Sequence, residues 1–157
     1  MTEDLRLAEP SHSLAAAFRS LAKEWKDAGV DKHQSALEDV AAYLADLAAA
    51  KQGRDLPPGW VACSTFWLLQ GEDRIVGTSR LRHRLTPELE QEGGHIGYDV
   101  RPSERRKGYG TALLRLTLRK AWQLGLREVL VTCDSDNTAS VRIIETNGGR
   151  LLDTTVP

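Results

Sequence analysis

Hydrophobic and polar residues first alternate and then recur with helical spacing along the beginning of the chain. The predicted elements are a short strand within residues 4–10 ("DLRLAEP"), a helix capped by Ser11 or Ser13 that runs to about Asp27, and a helix from about Ser35 to Lys51. The adjacent prolines Pro57 and Pro58 are incompatible with a helix interior. The segment 51–60 is therefore predicted to be a loop that ends a β-α-α beginning.

After that loop the pattern changes to aromatic and β-branched residues with a period of two. Residues 61–70 and 75–85 are predicted strands, and the turn "GEDR" at 71–74 joins them into a hairpin. The polar stretch 86–92 separates this hairpin from a third strand at 93–100, "GGHIGYDV". The glycines of this third strand indicate a bulge or a close approach of another backbone segment.

The last third of the chain again alternates helices with short apolar runs. The apolar stripe of the first helix is formed by Leu114, Leu118, Ala121 and Gly125. The remaining predicted elements are a buried strand at 127–134, a helix capped by Asn137 that ends at Asn147 and Gly148, and a strand at 150–156.

These elements predict a single α/β (α+β) domain over 1–157, with the order β-α-α-β-β-β-α-β-α-β. Such an order favours a mixed sheet with helices on both faces. Within it, residues 60–157 contain most of the predicted strands, and residues 1–59 add the N-terminal strand and helices.

Composition and charge narrow the possible functions. The net charge of −1 gives no general attraction to nucleic acid or anionic lipid, and no segment has the length and apolarity of a membrane span or the pattern of a signal peptide. Cys63 and Cys133 lack metal-ligand spacing, so we expect reduced thiols, a cytoplasmic location and no metal site.

The segment 100–116, "VRPSERRKGYGTALLRL", combines basic residues and glycines at the start of a predicted helix. Free helix N–H groups, flexible glycines and the charges of Arg105, Arg106 and Lys107 together favour a phosphate or pyrophosphate. The spacing matches neither a P-loop nor the glycine motif of dinucleotide folds, and a solvated basic turn is the alternative.

These residues carry a family resemblance. The run from Arg105 to Gly110 resembles the Gln/Arg-x-x-Gly-x-Gly/Ala motif of the GCN5-related N-acetyltransferase (GNAT) superfamily, and it follows Val100-Arg101-Pro102 as in that family. Residues 136–149, "DNTASVRIIETNGG", are similar to the family's Asn-x-x-Ser helix and the turn after it. The resemblance implies a GNAT-like, mostly antiparallel sheet and direct transfer of acetyl from acetyl-CoA to a primary amine.

The resemblance also implies which residues hold the cofactor. We expect the pyrophosphate on the loop amides, the pantetheine arm along the strand that ends at Val100, and Asn137 beside that arm. The implied cofactor residues are Tyr98, Val100, Arg105, Arg106, Lys107, Gly108, Tyr109, Gly110, Thr111 and Asn137. Ser140 either contacts the cofactor or caps its own helix.

Catalytic groups are harder to assign because Ile144 occupies the position of the family's usual tyrosine acid. We predict His95 as the general base, with Glu88 and Glu92 as alternatives, and Tyr98 as the general acid. The alternative proton sources are Cys133, Asp134 and water. A structural histidine and a buried packing tyrosine are the competing interpretations of His95 and Tyr98.

The hairpin carries a further set of chemically capable residues. Arg80, Arg82 and Arg84 share one strand face, where they pair with nearby glutamates, stay solvated or bind an acidic part of the acceptor. His83 faces the other way and is expected to be a hydrogen-bonded core residue.

Two features leave the function open. The family usually has one more strand after the one resembling residues 150–156, so we expect either a truncated chain or a homodimer whose partner supplies it. No motif identifies the acceptor, which is a small-molecule or peptide amine. A non-catalytic acyl-CoA-binding module or sensor is the alternative function.

Overall fold

A computed structural model describes residues 4–152 of the chain. Its four strands are β1 (Leu5–Ala8), β2 (Cys63–Gln70), β3 (Arg74–Arg82) and β4 (Ile96–Val100). Its α-helices are α1 (Ala15–Asp27), α2 (Gln34–Glu38), α3 (Val40–Lys51), α4 (Pro87–Gln91), α5 (Tyr109–Leu124) and α6 (Thr138–Thr146). Short 3-10 turns at His12–Leu14 and Pro102–Glu104 precede α1 and α5.

The strands form one antiparallel sheet in the order β1-β2-β3-β4. The predicted hairpin is confirmed, because β2 pairs with β3 from Cys63 opposite Arg82 to Gln70 opposite Arg74. In the next pairing, Thr78 lies opposite Asp99 and Leu81 opposite Ile96. Successive side chains point to opposite sides of a sheet, so this register fixes which residues face which helices.

Both faces of the sheet are buried, as the prediction of helices on both sides requires. Side chains of α1, α2 and α3 pack against alternate residues of β2 and β3 on one face. This first core contains Phe18, Leu21, Trp25, Ala36, Leu44, Trp67, Leu69 and Ile75. Phe18 stacks on Trp67 with ring centroids 4.5 Å apart, which anchors α1 at the centre of the sheet.

The other face is covered by α5, with α6 packed beside it. The buried residues there are Phe66, Leu68, Val76, Leu81, Ile96, Tyr109, Leu113, Leu114 and Ala121. The predicted apolar stripe of α5 is confirmed for Leu114 and Ala121, which are buried. Gly125 instead ends the helix with a φ of 102°, where glycine is favoured.

The predicted second helix is divided in two. Asp39 has extended backbone angles of φ −155° and ψ 93°, and its side chain accepts a hydrogen bond from the N–H of Ala42 at 3.0 Å. Asp39 thus acts as the N-cap of α3 and ends α2. The polar stretch before β4 also contains a helix that was not predicted, α4, which Thr86 caps through the N–H of Leu89.

The prediction of a regular strand at 127–134 is wrong. This segment meets the chain before β4 only through an isolated antiparallel bridge between Gly94 and Val131. The N–H of Leu130 donates to the Nδ1 atom of His95 at 3.0 Å, so a side chain takes the bond that a strand ladder would need. Gly94 permits this approach, since a Cβ there would lie 2.5 Å from the Leu130 carbonyl oxygen.

The predicted strand at 150–156 can be compared with the structure only in part. Residues 150–152 are described and are not in a strand. Residues 153–156 of that predicted strand lie outside the described residues, so the strand and the homodimer that would complete it stay predictions.

Candidate active site

The chain leaves β4 through a turn that is tied to α1 and β3. Arg101 is buried and donates from Nε to Glu24 Oε1 at 2.7 Å and from Nη1 to the Ile75 carbonyl at 3.2 Å. Ser103 donates its backbone N–H and its hydroxyl to the same carboxylate at 2.7 and 2.9 Å. Burial favours neutral Glu24, yet these bonds and the charge of Arg101 hold its pKa below the ordinary value. The start of the basic loop is therefore fixed in place.

The basic loop itself presents a row of unpaired backbone donors. Arg106 and Gly108 both have left-handed φ angles, 64° and 84°, so the chain curls as it enters α5. None of the amides of residues 105–111 has a hydrogen-bond partner among residues 4–152. Successive N–H groups in such a curl, followed by the positive end of the 16-residue helix α5, form a site for an anion.

The side-chain charges of the loop are not equivalent. Lys107 donates from Nζ to Glu104 Oε1 at 2.7 Å, and the same buried carboxylate accepts from Arg74 Nε at 3.3 Å. The bond from Lys107 is the main reason that the pKa of Glu104 is low. Arg105 and Arg106 are exposed and make no ion pair within the described part of the chain. They are the two loop cations available to a phosphate.

The glycines of the motif have different roles. A Cβ on Gly108 would meet nothing within 4 Å, so its left-handed φ is the reason for glycine there. Gly110 is an ordinary helical residue, and a Cβ on it would lie 2.7 Å from Ile143 Cδ1 of α6. Gly110 therefore leaves room for the Ile143 side chain, which a larger residue would displace. The Tyr109 side chain is buried in the core, so this residue presents only its backbone amide to the loop. The Thr111 carbonyl accepts a hydrogen bond from Asn147 Nδ2 at 3.2 Å, which ties the first turn of α5 to the end of α6.

The cofactor strand predicted at Tyr98 and Val100 is β4. Its outer edge meets segment 129–131 only near Gly94 and His95, so no described strand pairs with residues 96–100 on that side. The Tyr98 hydroxyl donates to Ser140 Oγ at 3.2 Å, which ties β4 to α6. Asn137 caps α6, as predicted, by accepting from the N–H of Ser140 at 3.2 Å. The Ser140 hydroxyl itself caps nothing.

His95 is held on three sides by backbone. Its Nδ1 accepts from the N–H of Leu130, its own N–H donates to the Leu130 carbonyl at 2.7 Å, and its carbonyl accepts from the N–H of Arg82 at 2.7 Å. Burial lowers the pKa of the imidazole. A neutral ring that accepts at Nδ1 carries its proton on Nε2 and has no free lone pair. Of the alternatives, Glu88 lies in the first turn of α4 and Glu92 is its C-cap residue, and both are exposed.

Tyr98 has the properties of a group that stays protonated. Burial raises the pKa of its hydroxyl, against the effect of the hydrogen bond to Ser140. Cys133 is exposed overall. Partial desolvation of its thiol, and then the negative charge of Asp134, raise its pKa as well. Ile144 packs with the residues of the second core and offers no donor. Of the predicted acids, Tyr98 is the one that lies on the predicted cofactor strand and whose hydroxyl is hydrogen-bonded, to Ser140.

A cavity of about 530 Å³ lies on the opposite face of β4 from Tyr98. It is enclosed by the segment between α1 and α2, by α3, and by one end of β2, β3 and β4. The lining residues are Lys32, His33, Tyr43, Leu47, Thr65, Thr78, Arg80 and Asp99. This cavity places polar side chains beside the same strand that borders the basic loop.

Charges in the cavity are arranged around Asp99. Lys32 Nζ lies 3.0 Å from Asp99 Oδ1, and Arg80 Nη2 lies 3.1 Å from Asp99 Oδ2. Burial disfavours the carboxylate, but these cations hold the pKa of Asp99 below its ordinary value. Gly97 makes the pair possible, because a Cβ there would lie 3.0 Å from Arg80 Nη2. Burial, aided by the charge of Lys32, lowers the pKa of His33 to about 4.

Sequence reasoning missed this cavity, although part of its signal was present. The register puts Thr65 opposite Arg80 and Thr78 opposite Asp99, all on one face. The expectation that the arginine row pairs with glutamates is wrong for Arg80, whose partner is Asp99. His33 lies in a segment without any motif, so only the folded chain shows its position.

The hairpin histidine His83 is hydrogen-bonded as predicted, but it is half-buried and does not belong to the core. His83 Nε2 is 2.8 Å from Ser64 Oγ, and the two side chains share a hydrogen bond. Burial lowers the pKa of His83. Because His83 is bonded to Ser64 and is not among the residues that line the cavity, we interpret its role as structural.

Residues 4–152 contain neither a metal-binding cluster nor a membrane-spanning helix. No cluster of three or more His, Cys, Asp or Glu side chains is placed to hold a metal ion in this part of the chain. None of the described helices combines the length and the apolarity that crossing a bilayer requires.

Comparison with known proteins gives one family and a consistent set of folds. The family model for the acetyltransferase (GNAT) domain matches residues 4–150. No curated protein matches the chain. Among solved structures, RimL, a ribosomal L7/L12 alpha-N-protein acetyltransferase in complex with coenzyme A, is 18% identical with a TM-score of 0.65, over 92% of this chain and 79% of RimL.

Two further structures are similar to a comparable degree. AAC(6')-Iy in complex with the bisubstrate analogue CoA-S-monomethyl-acetylneamine is 18% identical with a TM-score of 0.60, over 97% of this chain and 95% of that one. The microcin C7 self-immunity acetyltransferase MccE in complex with acetyl-CoA and AMP is 13% identical with a TM-score of 0.61, over 93% and 78%. These likenesses establish the fold, and the family model establishes that the chain belongs to the GNAT acetyltransferase family.

Proposed function

We propose that this protein transfers the acetyl group of acetyl-CoA directly to a primary amine bound in the cavity beside β4. The observation that carries the proposal is the row of unpartnered amides at residues 105–111, curled by Arg106 and Gly108 and joined through β4 to that cavity. An anion site and a polar cavity on one strand are what a two-substrate acyl transfer needs.

Residues of the loop and β4 would hold the acetyl donor. The amides from Arg106 to Thr111, with the guanidinium groups of Arg105 and Arg106, suit a pyrophosphate. Lys107 would contribute less, because Glu104 already neutralises its charge. The unpaired outer edge of β4 at Tyr98 and Val100 suits an extended amide-containing arm, which would add to the sheet like a strand.

The chemistry is the exchange of a C–S bond for a C–N bond. The amine nitrogen attacks the thioester carbonyl carbon, the thiolate of CoA leaves, the nitrogen gives up a proton and the thiolate takes one up. The protein must therefore admit a neutral amine and offer a proton near the sulfur.

We assign the acid role to Tyr98. A tyrosine hydroxyl is protonated at neutral pH, burial raises the pKa of this one further, and the hydrogen bond to Ser140 orients it. His95 is better suited to positioning than to the base role predicted from sequence, because its Nδ1 lone pair is used by Leu130. The hydrogen bonds between His95 and Leu130 set the distance between β4 and segment 129–131. Acetyl-CoA would enter the gap between these two segments.

The remaining assignments concern location and partners. The acceptor is a small-molecule or peptide amine, and the two free thiols, Cys63 and Cys133, support the cytoplasmic location expected from sequence.

Calorimetry with acetyl-CoA, followed by a thiol-release assay over a panel of primary amines, tests the proposal. We expect saturable binding of acetyl-CoA and amine-dependent release of CoA. No binding at millimolar acetyl-CoA would refute the proposed donor site. Tight binding without turnover on any amine would instead favour an acyl-CoA sensor.

A further inference from the structure

The cavity beside β4 has more positive than negative charge. Its ionic lining residues are Lys32, Arg80 and Asp99, and Asp99 is the one acid among them. Resting on the proposed function, we propose that the acceptor is an amine that also bears a carboxylate, which Arg80 and Lys32 bind, and not a polycationic amine.

The state of Asp99 argues against a cationic acceptor. Each of its two oxygens already has a cation, Lys32 Nζ at 3.0 Å and Arg80 Nη2 at 3.1 Å. An ammonium group that approached this carboxylate would meet two like charges at contact distance. Like charges at this range repel more strongly in a partly enclosed site than in water. A carboxylate that approached the same place would be attracted by both cations.

The two cations keep hydrogen-bonding capacity for such a carboxylate. A guanidinium has five N–H donors, and Arg80 uses one for Asp99 and another for a long contact of 3.5 Å to Thr78 Oγ1. Its side chain is 40% exposed, and that of Lys32 is 32% exposed. Lys32 is also positioned by Trp25, whose ring centroid lies 3.9 Å from Nζ. Both donors thus remain accessible from the cavity.

His33 supplies an independent observation that points to a ligand. It is 7% exposed and lines the cavity, and its Nε2 has no hydrogen-bond partner within residues 4–152. A buried polar atom without a partner is unfavourable, and a bound polar molecule would relieve this. The charges of Lys32 and Arg80 add to burial in keeping the ring neutral, so it can share a hydrogen bond without adding charge.

Of the three hairpin arginines, Arg80 is the one that lines this cavity. Arg82 donates from Nη1 to the Gly94 carbonyl at 3.0 Å, which uses it for structure. Arg84 is exposed and lines a separate depression formed by residues 53–62. Arg84 therefore provides a matched control for Arg80, because it is the same kind of side chain four residues further along the sequence and does not line this cavity.

The test compares probes that differ in one charge. The full-length protein, saturated with CoA, is titrated with N-acetyl-L-alanine, with its carboxamide and with N-acetylputrescine, and the ring resonances of His33 are followed by NMR. We expect the acid to bind at least about tenfold more tightly than the amide, and N-acetylputrescine to bind more weakly still. The ratio of acid to amide affinity should approach one in Arg80→Gln and stay near tenfold in Arg84→Gln.

Each outcome decides the proposal. Equal affinities for acid and amide, preference for N-acetylputrescine, or no acid binding at tens of millimolar would overturn it. Lys32→Gln, which alters an exposed loop residue, gives the same test if Arg80→Gln does not fold. Titrations of acid and amide are repeated without CoA, and CoA affinity is measured separately, so that failure of the donor site is distinguished from failure of the acceptor preference.

Discussion

The loop at 105–111 and the cavity beside β4 are built in opposite ways. The loop is one continuous segment that offers backbone amides, and its shape depends on two left-handed residues, Arg106 and Gly108. The cavity is made by side chains from separate elements, between Lys32 and Asp99 in the sequence. A ligand site on continuous backbone is encoded locally, whereas a site on assembled side chains exists only after the sheet has its register.

This difference has a functional consequence. Backbone amides are not removed by most substitutions, so the loop suits the proposed acetyl donor, which every reaction of the protein would share. Side chains around a cavity can be exchanged one at a time without altering the sheet. Under the proposed function, the loop would be the less variable donor site and the cavity would determine which amine is accepted.

The largest expected effect comes from changing the shape of the loop. Gly108→Val places a β-branched residue at a φ of 84°, so the loop must rearrange. Loss of two charge-assisted hydrogen bonds, worth about 1.5–3 kcal/mol each, would weaken acetyl-CoA binding by at least about 100-fold. Calorimetry measures the change.

Gly125→Val is the matched control for this variant. Gly125 also has a left-handed φ, 102°, and open space at its Cβ position, but it lies at the other end of α5. Both substitutions strain one backbone residue of the same helix. Equal loss of binding in the two variants would contradict the placement of the phosphate site.

The next largest effect concerns the chemical step on β4. Tyr98→Phe removes the proposed acid and leaves the ring packing intact, so we expect kcat to fall about 100-fold with little change in the KM for acetyl-CoA. Ser140→Ala should lower kcat less, because it removes only the group that orients Tyr98. Unchanged kcat in Tyr98→Phe at saturating substrate would contradict the assignment of Tyr98 as the acid and leave Cys133, Asp134 or water as the proton source.

The sequence predicted the loop better than the cavity for a physical reason. Glycine spacing and charge in 105–110 are local signals, and Asn137 as a helix cap is another, so both were found without the fold. The role of Gly110 was not found, because its contact with Ile143 joins residues of two helices.

Long-range contacts also explain the errors in the fold. Residues 127–134 have the composition of a buried strand, but the His95 side chain takes the amide of Leu130, and the ladder does not continue. No local pattern predicts that a side chain 35 positions away will compete for this bond. The positions of His33 and Arg80 in the cavity wall depend on tertiary packing in the same way.

The next prediction concerns the pH dependence of stability that follows from keeping His33 neutral in the cavity wall. Its pKa is about 4 in the folded protein and 6.5 when unperturbed, so below pH 6.5 the unfolded chain binds a proton that the folded chain does not. The contribution of neutral His33 to the free energy of unfolding is fully present above pH 6.5. It falls as the pH decreases toward 4, by about 2 kcal/mol between pH 7 and pH 5.

Urea unfolding of the wild type and of His33→Gln at both pH values isolates this contribution. The variant lacks the titrating ring, so it should lose less stability than the wild type over the same interval. An identical loss in the two proteins would mean that His33 is not kept neutral by the cavity.

The smallest effect separates two neighbouring cations of the loop. Arg106→Gln should weaken acetyl-CoA binding by about tenfold, because an unpaired guanidinium is lost. Lys107→Gln should weaken it by only about twofold, since Glu104 already holds that ammonium. The two affinities are compared by calorimetry at one salt concentration, and the reverse order would show that Lys107 leaves Glu104 to bind the ligand.

A crystal structure of the protein with acetyl-CoA tests the account most directly, since it locates both regions relative to one molecule. We predict pyrophosphate oxygens within hydrogen-bond distance of the amides of 106–111, the pantetheine arm along the outer edge of β4, and the thioester directed toward the cavity that contains Asp99. Phosphates bound elsewhere, or a thioester directed away from that cavity, would contradict it.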